Sequence, residues 1–260
     1  MNIRNVSLIL NRELKSYFSS FTAYIVIIMF LLMTGYFFYN LTATFSIVSY
    51  QAQTDPMLAK QYQLLNINET VIRPLFGTIG IILLLMTPLL TMRLLAEEKK
   101  TGTIELLLTF PINDVDVVLG KYLACLVVVL TMILLTATYP ILLFVLGEPE
   151  VVPIWTGYLG LVLLGASAIA LGLFTSSLTE NQIVSASISF AMLFFFWLIS
   201  YSAPLVSAGL GQFLNYLSIN EHIESMSKGV VDSTDIIYYL CFIVLFLFLT
   251  LRSLETKRWR

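Results

Sequence analysis

The 260-residue chain is 58% hydrophobic and only 12% charged, and its formal net charge is −2. A soluble domain usually carries about 25% charged residues, and a soluble chain this apolar would expose large patches and aggregate. The composition therefore excludes an ordinary soluble protein. We expect a lipid bilayer to surround the chain, and we expect no nucleic acid to bind it.

Long apolar runs predict transmembrane helices, because backbone groups in lipid must form hydrogen bonds within their own segment. Six such spans are predicted, at about 21–40, 71–92, 117–146, 154–174, 183–201 and 236–251. The predicted fold is an all-α membrane protein that forms one transmembrane domain over residues 1–260. The third span exceeds the about 20 residues that a crossing needs, and Pro140 should loosen its far end.

Residues 1–20 carry apolar side chains at spacings of three and four, between basic and polar ones. This pattern predicts an amphipathic helix in the cytoplasmic interface, and the alternative is an untethered tail. The apolar run that follows begins too late and lacks a convincing cleavage site for a signal peptide, so we expect a retained helix.

The basic residues indicate the orientation of the spans. With the N-terminus inside, the loops outside contain only Lys60, Arg73 and Lys228, whereas the other eleven of the 14 basic residues lie inside. The acidic residues divide evenly, so the bias is specific to Lys and Arg. Both termini are therefore expected in the cytoplasm.

The cytoplasmic loop between spans two and three has an amphipathic character. Its charged beginning continues span two, Gly102 should break that helix, and a short helix with Leu106, Leu107 and Leu108 should follow until Pro111. Three leucines that face the cytosol need cover, which favours a docking element for a cytoplasmic partner. The alternative is an interfacial helix that contacts only lipid.

Local signals predict further helix ends and contacts. Thr179–Gln182 and Ser218–Glu221 both fit capping boxes, which would begin span five and a short helix ending at Gly229. We expect one or two re-entrant or interfacial helices between Ser202 and Asp235. Small residues at spacings of four in spans four and five indicate close helix packing.

The sequence offers little material for catalysis. His222 is the one histidine, so neither a His-based metal site nor a Ser-His-Asp triad can be assembled, and an interfacial or capping role is the simpler reading. Cys125 and Cys241 lie in apolar spans and suggest no disulfide. No P-loop motif occurs, and ionisable residues are absent from the centres of the predicted spans, which argues against an ion-coupled transporter.

The run from Pro88 to Pro111, PLLTMRLLAEEKKTGTIELLLTFP, resembles permease subunits of type-2 ABC transporters. The segment GLFTSSLTENQ at 172–182 is similar to the inner loop of the same permeases. The segment HIESMSKGVVD at 222–232, with a basic tail that contains Trp259, resembles the gliding-motility permease branch and its copper-maturation relative. The resemblance covers nearly the whole chain.

This resemblance implies the permease subunit of an exporter in a bacterial cytoplasmic (inner) membrane. A second permease copy or paralogue would pair with it, and a separate cytoplasmic ABC ATPase subunit would hold ATP and Mg, leaving this chain without catalytic, cofactor or metal sites. The segment from Thr103 to Phe110 would dock on the ATPase. The matching coupling residues are Glu97, Glu98, Gly102, Thr103, Glu105, Leu106, Leu107, Leu108 and Pro111. Glu98 and Glu105 are expected to pair with basic residues.

Two other functions remain open from the sequence. A non-transporting anchor or mechanical transmitter would couple a cytoplasmic ATPase to an extracytoplasmic accessory protein. A membrane-embedded enzyme would need paired carboxylates or a nucleophile with a base inside the spans, and neither is found. The scarcity of charge in the spans favours an amphipathic or larger substrate over a small hydrophilic ion.

Overall fold

The computed structural model describes residues 2–54, 66–103, 113–147 and 149–258. Within these ranges the chain contains helices and no strand, which confirms the all-α prediction. The elements, in chain order, are α1 (Ile3–Ser19), α2 (Phe21–Thr54), a π-helical turn (Asn68–Ile72), α3 (Arg73–Thr91), α4 (Ala96–Lys100), α5 (Asp114–Leu135), α6 (Thr138–Leu146), α7 (Val151–Leu178), α8 (Gln182–Leu198), a 3-10 segment (Ile199–Leu205), α9 (Ala208–Leu217), α10 (Ile219–Ser227) and α11 (Ser233–Arg258).

Among the residues that the structure describes, six helical segments are long and apolar enough to cross a membrane, as predicted. They are Phe21–Gln51, Asn68–Lys100, Asp114–Val145, Val151–Leu178, Gln182–Leu205 and Ser233–Thr256, which we call spans one to six. The expected amphipathic N-terminal helix is α1. The expected short helices between spans five and six are α9 and α10. The short helix predicted after Gly102 lies outside the described residues.

Span one is longer than its apolar run suggested. The helix continues from the predicted end at Asn40 to Thr54. No Gly or Pro interrupts this stretch, and the hydroxyl of Thr44 donates to the carbonyl of Asn40 at 2.8 Å, so that a polar side chain is accommodated within the helix. The helix therefore extends past the part that hydropathy marks.

Span three is interrupted where the sequence placed a weak point. Helix α5 ends at Leu135 and α6 begins at Thr138, two residues before Pro140. Proline has no amide hydrogen for the carbonyl four residues earlier, which here is that of Thr136. The amide of Tyr139 donates to this carbonyl instead, at 2.9 Å, and closes a tighter turn.

Span four forms the centre of the bundle and packs against spans two, three, five and six. Its glycines permit these contacts. A Cβ atom at Gly172 would lie 2.2 Å from Oγ1 of Thr91, and one at Gly157 would lie 2.6 Å from the ring of Phe76. The small residues of span four therefore serve packing within this chain.

Helix α10 lies against spans two and four at the end of the bundle opposite α1. Ile223 and Met226 are buried there beside Gly80 and Gly160. Ser218 caps α10 by accepting from the amide of Asn220 at 3.2 Å. Gly229, at φ +88°, follows its end, as the sequence predicted.

The predicted capping box at the start of span five is wrong. Asn181, not Thr179, is the N-cap of α8, and its side-chain oxygen accepts from the amide of Ile183 at 2.9 Å. Thr179 instead accepts from the amide of Asn181 at 3.1 Å. Asparagine caps as well as threonine, and here its position is two residues nearer to the helix.

Candidate functional site

Spans two, four and six meet at the end of the bundle that carries α1. The chain turns between Met92 and Leu95, which leaves the amides of Leu95 and Ala96 without helical partners. The hydroxyl of Ser176, near the end of span four, accepts from both amides at 3.0 Å. The carbonyl of Ser177 accepts from the hydroxyl of Ser253 on span six at 3.1 Å and from the ammonium of Lys99.

Four charged side chains, which we call the ion cluster, connect this turn to α1 and to span three. They are Arg12, Glu13, Glu98 and Lys121. The ammonium of Lys121 donates to Glu13 Oε1 at 3.0 Å and to Glu98 Oε1 at 2.8 Å. Arg12 Nη2 donates to the same Glu98 oxygen at 2.8 Å.

Three members of the ion cluster are largely buried, whereas the side chain of Arg12 is 60% exposed. The side chain of Lys121 is 2% exposed, and those of Glu13 and Glu98 are 12% and 11% exposed. Charges taken out of water remain ionised only when partners compensate them. Because the four side chains come from three helices, α1, α4 and α5, separating these helices would expose or unpair the charges.

Helix α1 is also held by contacts on both sides of the ion cluster. The buried carboxylate of Asp116 accepts from the amide of Asn2 at 3.0 Å and from Asn5 Nδ2 at 3.4 Å. The hydroxyl of Tyr17 donates to the carbonyl of Leu90 at 2.9 Å, and burial raises the pKa of Tyr17 well above its ordinary value, so this donor stays protonated. Helix α1 is therefore attached to spans two and three along most of its length.

The structure places four of the residues that the sequence assigned to coupling. Glu98 is in the ion cluster, while Glu97 is exposed. Gly102, at φ +71°, follows the end of α4, and the hydroxyl of Thr103 donates to the carbonyl of Glu98 at 3.3 Å. The other predicted residues lie outside the described part: Glu105, Leu106, Leu107, Leu108 and Pro111.

Comparison with protein families matches residues 11–259 to the family described as ABC-2 family transporter protein. The chain belongs to the ABC-2 transporter family. A search among curated proteins finds no significant match. Membership makes this ABC-2 chain a multi-pass membrane subunit for transport, and implies an ABC ATPase as a partner in general.

The charged residues of this ABC-2 chain that the sequence argument missed are Arg12, Glu13 and Lys121. A signal for one of them was present, because Lys121 stands alone in the apolar run of span three, and an ionised residue in a span requires a partner. The partner could not be read, since Glu98 is 23 residues away and Glu13 is 108 residues away. Only the approach of α1 to span three identifies them.

At the other end of the ABC-2 chain, His222 is a buried structural residue. Its Nδ1 lies 2.7 Å from Asp235 Oδ1, its Nε2 lies 3.1 Å from the carbonyl oxygen of Tyr216, and its ring stacks on Tyr238 at 4.0 Å. It joins α9, α10 and span six, and its contact with a carbonyl in the last turn of α9 agrees with the simpler reading as a capping residue. Among the described residues, no three His, Cys, Asp or Glu side chains are grouped to hold a metal ion.

Proposed function

We propose that this ABC-2 chain is the permease subunit of an exporter that works as a dimer of permeases. ATP and Mg bind to a separate ATPase subunit, which docks on the cytoplasmic loop 93–111. The observation that supports this most directly is the position of Glu98, which lies within that loop and is paired to α1 and span three at once. A force on the loop therefore reaches two other parts of the permease through short ionic contacts.

The same geometry supports a route by which a conformational change in the loop reaches spans four and six. Ser176 fixes the turn before α4 to span four, and Ser253 fixes the end of span four to span six. Residues 222–232 resemble the gliding-motility branch and its copper-maturation relative, and we place the chain nearest to them. We place both termini on the cytoplasmic side of a bacterial inner membrane, because the basic residues concentrate there.

The proposal is tested by reconstituting the chain with an ABC ATPase subunit from the same organism. The purified permease alone should hydrolyse no ATP, and activity should appear only with the second polypeptide. Gly102→Pro and Glu105→Lys should each reduce recovery of the ATPase with the permease, because one distorts the loop and the other reverses a charge within it. Both variants should still insert in the membrane.

Glu255→Lys is the matched control, since it reverses an exposed charge at the same end of the bundle but outside the loop. It should retain the ATPase. ATP hydrolysis by the permease alone would overturn the proposal. Normal assembly of both loop variants would overturn the assignment of the loop as the docking element.

A further inference from the structure

A cavity of about 480 Å³ opens beside the ion cluster, between α1, the start of α2 and the end of α3. The ion cluster forms its inner wall. Its remaining lining combines polar and apolar side chains. The polar ones include Ser16, Ser19, Ser20, Thr22 and Arg93.

Arg93 supplies an uncommitted positive charge in this wall. Its side chain is exposed and makes no hydrogen bond or ion pair with any residue that the structure describes. Glu97 lies four residues further, but the turn between Met92 and Leu95 interrupts the helix that would bring the two together. A guanidinium with free donors is suited to two parallel hydrogen bonds with a phosphate.

The beginning of α2 adds hydrogen-bond donors to the same wall. Ser20 precedes the helix, its oxygen accepts from the amide of Thr22 at 3.3 Å, and the two hydroxyls are 3.1 Å apart. The first amides of a helix lack partners within it and, with the helix dipole, favour an anion. Arg93 and the start of α2 therefore both favour an anion, although they belong to two different elements.

The acidic residues of the cavity do not cancel this preference. Glu13 and Glu98 are already paired with Lys121 and Arg12 in the ion cluster. The second carboxylate oxygen of Glu98, Oε2, is buried without a hydrogen-bond partner among the described residues, and a hydroxyl group of a ligand would donate to it. Glu97 remains exposed at the rim. A ligand that carries a phosphate together with hydroxyl or ammonium groups would satisfy both Arg93 and Glu97.

An apolar surface continues outward from the cavity. Leu89 lines it and is 40% exposed. The exposed rings of Phe18 and Tyr24, which adjoin lining residues in the sequence, have centroids 6.3 Å apart. These residues belong to the end of span two, to amphipathic α1 and to the start of span one. Such a surface accepts acyl chains but would make no use of a free phosphate ion, so it favours a phospholipid as the ligand.

We propose that this cavity binds the phosphodiester headgroup of a membrane phospholipid. Arg93 and the start of α2 hold the phosphate, and the acyl chains lie over Leu89, Phe18 and Tyr24. Binding would attach the lipid directly beside the ion cluster. The proposal does not depend on the ATPase partner or on the transported substrate.

The test measures binding of dioleoylphosphatidylglycerol to the delipidated full-length chain in detergent, by native mass spectrometry. Arg93→Ala should weaken binding about tenfold or more, as expected for the loss of a charge-assisted hydrogen bond. Ser19→Trp, which fills the cavity without removing a charge, should weaken it similarly. Arg252→Ala removes an arginine at the same end of the bundle but outside the cavity, and should bind as the unmodified chain does.

Two further ligands separate the sources of the phosphate. Dioleoylglycerol, which has the same acyl chains and no phosphate, should bind weakly and equally to all four proteins. Inorganic phosphate should not displace the lipid. Displacement by phosphate, unchanged binding in both cavity variants, or an equal loss in Arg252→Ala would each overturn the proposal; if Arg93→Ala does not fold, Ser19→Trp decides.

Discussion

At the scale of single residues, Lys121 shows that a buried charge depends on tertiary contacts with oppositely charged side chains. A lysine on an apolar span is costly unless carboxylates reach it, and here Glu13 and Glu98 both do. The pairing does not by itself make the protein more stable than an apolar replacement would. It makes the positions of α1, α4 and span three depend on one another.

Lys121→Ala should destabilise the chain by about 3–5 kcal/mol, because Glu13 would remain buried without its main cation. Thermal unfolding in detergent would measure the change. Lys15→Ala on the exposed face of α1 is the control and should stay within about 0.5 kcal/mol. Equal unfolding temperatures for both variants would contradict the assigned role of Lys121.

At the scale of elements, span four depends on close approach to its neighbours. Gly172 faces Thr91 of span two so closely that no Cβ fits, whereas a Cβ at Gly77 of span two would meet nothing within 4 Å. Both glycines lie inside helices. Substituting alanine at these two glycines therefore separates the effect of close packing from the intrinsic helix preference of alanine.

Gly172→Ala should destabilise the protein by about 1–3 kcal/mol, since the added methyl group overlaps Thr91 and the helices must separate. Gly77→Ala should be neutral or stabilise by up to about 1 kcal/mol, because alanine is the better helix former. Denaturation of the two variants in the same detergent would compare them. A stabilising effect at both positions would show that spans two and four are not in the described contact.

At the scale of the whole molecule, α1 and the last turns of span six lie at one end of the bundle. Glu13 and Glu98 both pair there with Lys121, and the hydroxyl of Ser253 donates to the carbonyl of Ser177. Helix α10, with Lys228, lies at the other end. The proposed topology therefore makes a simple prediction about access from outside the cell.

In a background in which Cys125 and Cys241 are replaced by alanine, Lys228→Cys should react with a membrane-impermeant maleimide in intact cells. Ser7→Cys, on the exposed side of α1, should react only after the membrane is permeabilised. Labelling yields before and after permeabilisation measure the difference. The reverse pattern would place the termini outside and would exclude a cytoplasmic ATPase at the ion cluster.

The sequence by itself determined the class of the protein and much of its local structure. Hydropathy required six helical spans, Pro140 predicted the weakness in span three, and Gly102 and Gly229 predicted helix ends. These properties depend on near neighbours in the chain, whose influence can be read from composition and spacing. For the same reason the capping residue of span five was misplaced by a short distance, since Thr179 and Asn181 are both competent caps.

The tertiary structure alone decided which charges meet. Glu98 was selected by its motif, but its partners come from α1 and span three, and the cavity beside them exists only where α1 crosses spans one and two. His222 likewise became a buried link once Asp235 and Tyr216 surrounded it. A contact between residues far apart in sequence leaves no local pattern, because it depends on how whole helices approach one another.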